Sequence, residues 1–539
     1  MVTPCRCVTM RLSEDILVTQ KGVTRPPLNT QPRTILVRAS GKCPLASEGI
    51  GRYHCSVRGV RGFNGAACVK ILLVQPPPPP DYIGFRRTAL PEPLALECIG
   101  AVAKADHDVR LLDMRLEDRF REVLQEFQPD LVAVTCLTTE VYNAQALLKE
   151  AKALMPQTFT VAGGHHASLL PADFQLPYVD TIVIGEGEVT FKELLKALDL
   201  SRSGDRAEAL AKVDGLAWRR DENEWVFNQP QGLLPSLDTL PIPARDLAAR
   251  YAEEYFFLFD KPHTLIATSR GCPFKCNFCS VWKFYRGKCR YMSAERVVDE
   301  IEAIQTRTVS FVDDNFLAHV PRAFKIVELI RQRGIKKEFG IQARTDTISK
   351  HPDLLAALRE VGLETVLIGF EAATQAQLDS VSKGATVEQN DRAIDILNGL
   401  HVHMWGAFIV DPQFTQEDFR QLKAYREAKG IIYPQFTILT PLPGTDLYRQ
   451  RYDELVTHDY RLFDALHSVL PTRLPREAFY QEFASLYRPD NPGLIYDWIS
   501  SGRITMERAR KARQILMELG KAENFLRGER AVGLSATTR

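Results

Sequence analysis

The chain has no long apolar run and almost no net charge, and each absence excludes a class of function. No segment reaches the roughly eighteen apolar residues that a membrane-spanning helix needs. Met1 to Gln20 also lacks the apolar centre of a signal peptide. The net charge is +1, which gives no electrostatic basis for binding nucleic acid. At 539 residues, with 45% hydrophobic and 25% charged residues, the composition indicates about two or three globular domains.

The 11 cysteines are unevenly distributed along the chain. Within the first 68 residues lie Cys5, Cys7, Cys43, Cys55 and Cys68. This segment is rich in arginine and shows neither a sustained helix or strand period nor a standard metal-ligand spacing. We therefore expect residues 1–68 to be a disordered extension, or a misassigned start, without a part in the mechanism. A second metal module is the alternative.

Three further cysteines form a compact C-x3-C-x2-C cluster: Cys272, Cys276 and Cys279. It follows directly after the apolar, strand-like stretch Thr264–Thr268. Thiolates held so closely on one loop indicate a single metal centre, and three of them suit a [4Fe–4S] cluster with one open iron. Cys289 would fill that open position, so we interpret it as an ordinary thiol. Three unrelated core cysteines are the alternative, and the reduced thiols indicate a cytoplasmic location.

Two series of alternating strands and helices surround this cluster and predict an α/β protein. The first predicts a flavodoxin-like domain over 69–200, with strands at Lys70–Val74, Val109–Leu112, Leu131–Thr135, Thr158–Ala162 and Thr181–Ile184. Residues 201–260 are predicted as a linker with a small hairpin. The second predicts a partial (β/α)6 barrel over 261–459, with strands at Thr264–Thr268, Thr308–Val312, Phe339–Ala343, Thr365–Phe370, Met404–Val410 and Tyr433–Leu439. A helical C-terminal region follows over 460–539.

In both kinds of sheet, ligands bind at the carboxyl ends of the strands. At those ends the first domain carries Cys136, Gly163, Gly164, Gly185 and Glu186. The glycine pair is explained by close approach of the backbone to a flat ligand, and a tight turn without a ligand is the alternative.

The cysteine run, with the aromatic Phe278 before its third cysteine, resembles the signature of the radical S-adenosylmethionine (SAM) superfamily. The resemblance implies a cluster whose open iron binds the amino and carboxylate groups of SAM and cleaves it to a 5′-deoxyadenosyl radical. It also implies that Asp313 or Asp314 holds the SAM ammonium, that Arg344 faces the SAM carboxylate and that Glu371 bonds the ribose. A plain strand-end turn is the alternative at the two aspartates.

The first domain resembles the cobalamin-binding domain that precedes many radical SAM enzymes. One departure is that the D-x-H-x-x-G loop of cobalt-ligating domains reads Asp113-Met-Arg-Leu-Glu-Asp118 here, without a histidine. The resemblance therefore implies a cobalamin without a histidine ligand from this loop, which suits a cobalt that cycles through Co(I). His165 and His166 are alternative ligands, although hydrogen-bonding or solvent-facing roles are more usual for such residues.

Together the two domains resemble the cobalamin-dependent radical SAM methyltransferases. This implies that one SAM methylates the cobalamin, and that a substrate carbon radical, made with a second SAM, takes the methyl group from methylcobalamin. A methylthiotransferase is disfavoured because, after residue 69, only Cys98 and Cys136 precede the barrel. A corrinoid sensor would leave the SAM-facing strand ends unexplained.

The substrate is expected to contact the C-terminal region. Tyr460–His467 and Val469–Pro475 resemble a stretch of the hopanoid C-3 methylases, and related enzymes act on bacteriochlorophyllides. We predict a polycyclic substrate, with a bacteriochlorophyllide-type tetrapyrrole preferred; a hopanoid C-methylase and an oxygen-independent tetrapyrrole ring cyclase are the alternatives. His467 is interpreted as structural rather than as a magnesium ligand. The expected partner is an electron donor such as flavodoxin or ferredoxin, and Arg503–Leu526, a basic amphipathic helix, allows at most peripheral membrane contact.

Overall fold

The computed structural model describes residues 68–80, 88–200, 205–488, 496, 499–500 and 504–534, together with four short strands near the amino terminus. Those strands pair antiparallel, the first with the fourth and the second with the third: Val8–Met10, Leu17–Thr19, Gly22–Thr24 and Ile35–Val37. Met1–Arg58 forms one compact unit and Gly59–Arg539 another. Most of the segment predicted as a disordered extension lies outside the described residues.

The first large sheet has seven strands among the described residues. In chain order they are β1 Lys70–Gln75, β2 Asp108–Asp113, β3 Leu131–Thr135, β4 Phe159–Gly163, β5 Thr181–Val183, β6 Leu216–Arg219 and β7 Trp225–Phe227. The parallel strands run in the flavodoxin-like order β2-β1-β3-β4-β5, as predicted. The hairpin of β6 and β7, predicted inside a linker, instead extends this sheet because β6 pairs antiparallel with β5.

Helices cover both faces of this sheet. They are α1 Leu94–Ala103, α2 Phe120–Phe127, α3 Val141–Leu154, α4 His165–Leu169, α5 Gly187–Leu200 and α6 Arg206–Leu210. The alternation of side chains along β1 shows why: Ile71 and Leu73 pack with α1 and α5, whereas Leu72 and Val74 pack with α2 and α3. A strand that is apolar on both faces requires this double cover.

The second large sheet is a six-stranded parallel array in strict chain order, which confirms the predicted partial barrel. Its strands are β8 His263–Ile266, β9 Thr308–Phe311, β10 Glu338–Arg344, β11 Leu363–Glu371, β12 His403–Val410 and β13 Tyr433–Ile438. The helices are α7 Val281–Phe284, α8 Ala294–Ala303, α9 Val320–Gln332, α10 Thr345–Lys350, α11 Pro352–Glu360, α12 Gln375–Ser380, α13 Val387–Gly399, α14 Gln416–Ala428 and α15 Asp446–Arg451. Thr386 and Thr415 cap α13 and α14 with their hydroxyl oxygens, which helps to begin each helix there.

Short elements complete the path of the chain. Ala89–Leu90 pairs with Phe256–Phe257, and Ser269–Arg270 pairs with Arg290–Tyr291. Short 3₁₀ helices occur at Thr138–Glu140, Pro171–Phe174, Leu237–Thr239, Arg245–Leu247, Ala249–Glu254, Phe316–Ala318, Tyr452–Glu454 and Tyr460–Leu462.

The C-terminal region is helical, as predicted. Where the structure describes full helices in this region, they are α16 Arg476–Ser485, α17 Met506–Leu519 and α18 Ala522–Ala531. Phe525 of α18 lies 5.2 Å from the ring of Phe483 and joins the barrel core. The basic stretch Arg503–Leu526, predicted as one helix, is divided, because α17 ends at Leu519 and α18 begins at Ala522. Within the described part of the chain, no helix is both long and apolar enough to cross a membrane.

Candidate active site

The three-cysteine loop lies at the carboxyl end of β8. It begins after the short pairing of Ser269–Arg270 with Arg290–Tyr291 and passes through Gly271, whose φ is +94°. A Cβ at Gly271 would lie 2.1 Å from the carbonyl oxygen of Lys288, so only glycine allows the loop to turn there. The tight turn directs the following residues back across the top of the barrel.

The thiols of this loop fit a [4Fe–4S] cluster by their kind and number. Cys276 is buried and Cys272 and Cys279 are half-buried, and burial raises the pKa of Cys279 to about 12. Three cysteine thiols on one short loop are the donor set of a [4Fe–4S] cluster whose fourth iron stays open.

The two aspartates after β9 have different environments. Asp313 is 1% exposed and accepts hydrogen bonds from the Thr268 hydroxyl at 2.9 Å, the Thr268 amide at 3.3 Å and the Ser269 hydroxyl. Asp314 is half-buried, and its Oδ2 accepts one bond from the Gly271 amide at 3.1 Å. Desolvation raises the pKa of Asp314 to about 6. Asp313 is thus committed to joining β8 to β9, while Asp314 keeps acceptor capacity beside the cysteine loop.

Arg344, at the end of β10, touches the cysteine loop directly. Its guanidinium lies 3.5 Å from the ring centroid of Phe274, and Nη1 lies 3.8 Å from Cys276 Sγ. It also donates to Asp346 at 2.9 Å and to the carbonyl oxygen of Lys383 at 2.7 Å. The structure therefore places a buried positive charge next to a predicted cluster ligand. Phe278, on the same loop, is half-buried.

Glu371 ends β11 in a backbone conformation that is uncommon for a residue with a side chain. Its φ is +63°, and the pairing of β11 with β12 is irregular at this point. Its Oε1 forms an ion pair with Lys383 Nζ at 2.6 Å, and both side chains are buried. Glu371 also lines a cavity of about 190 Å³ that has both apolar and polar walls: Ala372, Val381, Ile409, Phe414 and Leu439 are apolar, and Gln377, Ser380, Asp411, Gln413 and Asp418 are polar. Apolar walls with several hydrogen-bonding groups can hold a ring and its sugar hydroxyls.

Sequence reasoning did not single out two residues of this region. Lys383 follows Glu371 by 12 residues, and no local pattern links the two. Asn315 is 1% exposed, and both polar atoms of its amide lack a hydrogen-bond partner among the described residues. Its position directly after the two aspartates was a signal that could have identified it.

At the carboxyl end of the first sheet, the predicted glycines differ in their surroundings. Gly164 has φ +92°, and a Cβ there would lie 2.4 Å from Thr135 Oγ1 and 2.8 Å from the amide of Cys136, which is itself buried. Contact with β3 therefore requires a glycine at position 164, whether or not a ligand approaches it. Gly185 has φ +88° and open space beside it, and Gly163 has ordinary contacts. These surroundings leave a surface at Gly185 to which a large ligand can approach closely.

Glu186 and Glu188 form ion pairs with arginines of the barrel domain. The guanidinium of Arg270 donates to Glu186 at 2.8 Å and also to Glu188, and Arg290 donates to Glu186 at 3.0 Å. All four side chains are at most 15% exposed. The predicted cobalamin-binding residue Glu186 is therefore engaged in a buried ion-pair network between the first domain and the cysteine loop.

The histidines of the first domain are engaged in other contacts. Both ring nitrogens of buried His166 are hydrogen-bonded, to Thr138 Oγ1 at 3.2 Å and to Asp173 Oδ2 at 2.8 Å. His165 Nε2 is bonded to Ser280 Oγ at 3.1 Å. Asp113, where a cobalt-ligating loop would begin, is fully buried and paired with Arg115. Both ring nitrogens of His166 are thus occupied, and the loop that begins at Asp113 contains no histidine, which fits a cobalamin without a histidine ligand from this loop.

His467 is held within the C-terminal region. Its Nδ1 is bonded to Asp464 at 3.0 Å and its Nε2 to the carbonyl oxygen of Phe525 at 3.1 Å. Because both ring nitrogens are used and the side chain is 2% exposed, the geometry supports its structural interpretation.

Comparison with known families covers both domains. The profile of the Radical SAM superfamily matches residues 266–425, and that of the B12 binding domain matches residues 83–195. The chain is 32% identical to the Hopanoid C-3 methylase of Methylococcus capsulatus over 77% of this chain and 78% of the relative. It is 30% identical to the Anaerobic magnesium-protoporphyrin IX monomethyl ester cyclase of Rubrivivax gelatinosus, over 69% and 67% respectively.

A further relative and one solved structure extend the comparison. The chain is 26% identical to the Bacteriochlorophyllide d C-12(1)-methyltransferase of Chlorobaculum tepidum over 78% of this chain and 86% of the relative. The structure of the radical S-adenosylmethionine methyltransferase TsrM from Kitasatospora setae, with cobalamin and a [4Fe–4S] cluster bound, superposes with a TM-score of 0.61 and 17% identity. The superposition covers 84% of this chain and 99% of that one. At that identity the likeness shows the shared fold.

Proposed function

Because the chain belongs to the cobalamin-dependent radical SAM methyltransferases, we propose that it transfers a methyl group from SAM, by way of cobalamin, to an unactivated carbon of a polycyclic substrate. The cofactors of the protein are a [4Fe–4S] cluster, SAM and cobalamin. When bound, the cluster and SAM supply a carbon-centred radical and cobalamin supplies the methyl group. For each methyl group, two SAM molecules and two electrons yield S-adenosylhomocysteine, 5′-deoxyadenosine and methionine.

The observation that carries this proposal is the direct contact between the two strand-end sites. Ser280, next to Cys279, is hydrogen-bonded to His165 of the first domain. Gly444, in the loop after β13, packs against Leu169 of α4, since a Cβ there would lie 2.8 Å from that side chain. The radical source and the corrinoid edge therefore face one another, as transfer between them requires.

Within the barrel, we assign roles to the chain's own residues as follows. Cys272, Cys276 and Cys279 would hold three irons. Asp314 would accept the SAM ammonium, because Asp313 has its acceptors occupied. Arg344 would supply positive charge for the SAM carboxylate.

The cavity beside Glu371 would take the nucleoside of SAM, with the Glu371 carboxylate on the ribose hydroxyls. In the first domain, Gly163 and Gly185 would border the cobalamin. Cys136, which was also predicted to do so, is instead buried in the apolar core, while Gly164 shapes the turn and Glu186 bonds to the barrel.

For the substrate we propose a bacteriochlorophyllide-type tetrapyrrole. Support comes from the tetrapyrrole names of two relatives, the bacteriochlorophyllide methyltransferase and the magnesium-protoporphyrin cyclase. Tyr460 brings the C-terminal region to the first domain, where it stacks on Tyr142 at 6.0 Å and meets the His166 ring at 4.9 Å. This position supports a role for the region in substrate contact. An electron donor such as flavodoxin or ferredoxin and a cytoplasmic location belong to the same proposal.

A hopanoid lipid is the second candidate, favoured by the 32% identity to the Hopanoid C-3 methylase. Deletion of the gene, followed by mass analysis of pigments and lipids, tests both. If the pigments of the deletion strain are lighter by the mass of one methylene group, the tetrapyrrole substrate is supported. Unchanged pigments together with a loss of methylhopanoids would overturn it. In the purified enzyme, 5′-deoxyadenosine formed without S-adenosylhomocysteine would instead indicate a ring cyclase.

A further inference from the structure

The cysteine loop is held on both sides by residues of the first domain. On its amino-terminal side, Arg270 is ion-paired with Glu186 and Glu188, which follow β5. On its carboxyl-terminal side, Ser280 is hydrogen-bonded to His165, which follows β4. These partners lie just beyond the carboxyl edge of the first sheet: His165 begins α4, Glu186 precedes α5 and Glu188 lies in its first turn.

The contact on the carboxyl-terminal side is reinforced by packing. The His165 ring stacks on Phe284 of α7, with centroids 5.4 Å apart and planes 15° from parallel. Lys283 of the same short helix forms a 2.9 Å ion pair with Asp446 at the start of α15. The segment after Cys279 is therefore fixed to the first domain and to the barrel at once.

The contact on the amino-terminal side is buried. Arg270 and Glu188 are 15% and 8% exposed, and Arg290 adds a second guanidinium to Glu186. Buried, hydrogen-bonded ion pairs of this kind are geometrically demanding, and removal of one partner leaves an uncompensated charge. This side therefore tolerates little relative movement of the two domains.

We propose that these two contacts act together as a clamp that fixes the separation between the cysteine loop and the corrinoid edge of the first sheet. If the proposed function holds, on which this inference rests, the clamp keeps SAM cleavage coupled to methyl transfer. Its residues are positioning residues, which act through the loop they hold. A methyl acceptor displaced by about 1 Å can react about 100-fold more slowly, so small movements matter.

Ser280→Ala and Glu188→Gln test the clamp from its two sides, because each removes one contact with little change in volume. Asp180→Asn is the matched control, since Asp180 forms an ion pair with Lys152 just before β5, at the end of the first sheet opposite the corrinoid edge. The reconstituted holoenzymes are compared by iron content, cobalamin content and the ratio of S-adenosylhomocysteine to 5′-deoxyadenosine. We expect both clamp variants to lower this ratio about 10- to 100-fold, and the control to leave it unchanged.

A second readout does not depend on turnover. In samples poised to contain Co(II) and the reduced cluster together, electron paramagnetic resonance reports the spin coupling between them. We expect the spin coupling to show a broader range of strengths in both clamp variants and to match the wild type in the control. Unchanged product ratios and coupling in Ser280→Ala and Glu188→Gln would overturn the proposal.

If Glu188→Gln fails to load iron, Ser280→Ala alone decides the question. A wild type that forms 5′-deoxyadenosine but no S-adenosylhomocysteine refutes methyl transfer, while the spin coupling still tests the clamp.

Discussion

The two adjacent aspartates after β9 provide a sharp test of the SAM site, because substitution of each should affect a different property. Asp313 accepts bonds from Thr268 and Ser269 in a fully buried position, whereas Asp314 accepts one bond from the Gly271 amide. Asn has nearly the shape of Asp but no charge. The pair Asp313→Asn and Asp314→Asn therefore separates a structural carboxylate from a ligand-binding one.

The magnitudes follow from these contacts. If Asp314 receives the SAM ammonium, its replacement removes one charge-assisted hydrogen bond, about 1.5–3 kcal/mol. That corresponds to a rise in the Kd for SAM of roughly 10- to 150-fold. Asp313→Asn instead places an amide NH2 group against the Thr268 backbone N–H, so that two donors face each other in a buried site. We expect a destabilisation of about 1–3 kcal/mol and little direct effect on SAM affinity.

The measurements are an anaerobic calorimetric titration of SAM into each reconstituted variant and a thermal unfolding scan. A Kd of Asp314→Asn within about threefold of the wild type would refute the assignment of the ammonium site. The reasoning also fails if Asp313→Asn loses SAM affinity while its thermal midpoint is unchanged.

Three further predictions concern the cluster, the domain junction and the first sheet. Cys276→Ala should abolish 5′-deoxyadenosine formation yet retain cobalamin binding by residues 69–200, as followed by visible absorption; residual cleavage would contradict the ligand assignment. Desolvation raises the pKa of Glu97 to about 8 from 4.5, so the folded state keeps a proton that the unfolded chain releases, and stability falls as pH rises through that window. Glu97→Gln should remove this pH dependence, so the thermal midpoint of the variant should exceed that of the wild type at pH values above about 8. A difference between the two midpoints that stays constant across pH would contradict this prediction. Gly164→Ala should destabilise more than Gly185→Ala in scanning calorimetry, because only the former places a methyl group 2.4 Å from Thr135; equal losses would show that the positive φ, costing about 1–2 kcal/mol, is the whole effect.

Local patterns in the sequence were enough to predict the two sheets. The apolar run Lys70–Val74 was predicted as the first strand of the first domain, and it is the strand Lys70–Gln75 in the structure. Similar apolar runs predicted the six barrel strands to within about two residues at each end, the usual uncertainty of strand and helix boundaries. The hairpin after Val213 was recognised as a hairpin, but its pairing with β5 was not, because strand pairing at an edge leaves no periodic signal.

The candidate site was predictable only in part. The spacing of Cys272, Cys276 and Cys279 identified the radical-generating loop, since ligands that lie on one loop are adjacent in the sequence. Which aspartate keeps acceptor capacity was not predictable, because it depends on Thr268 and Ser269, more than forty positions away. The role of Glu186 likewise depends on Arg270, 84 residues further along the chain.

The sequence by itself determined the class of protein: two parallel α/β units, three thiolates on one loop, and no histidine in the loop after the second strand. These properties depend on side-chain periodicity and on ligand spacing, which are local. The tertiary structure decided how the units face each other, through contacts of the cysteine loop with Glu186, Glu188 and His165. Such contacts join residues that are far apart in the chain, and burial gives them their strength, so they exist only once the fold has excluded water from the junction.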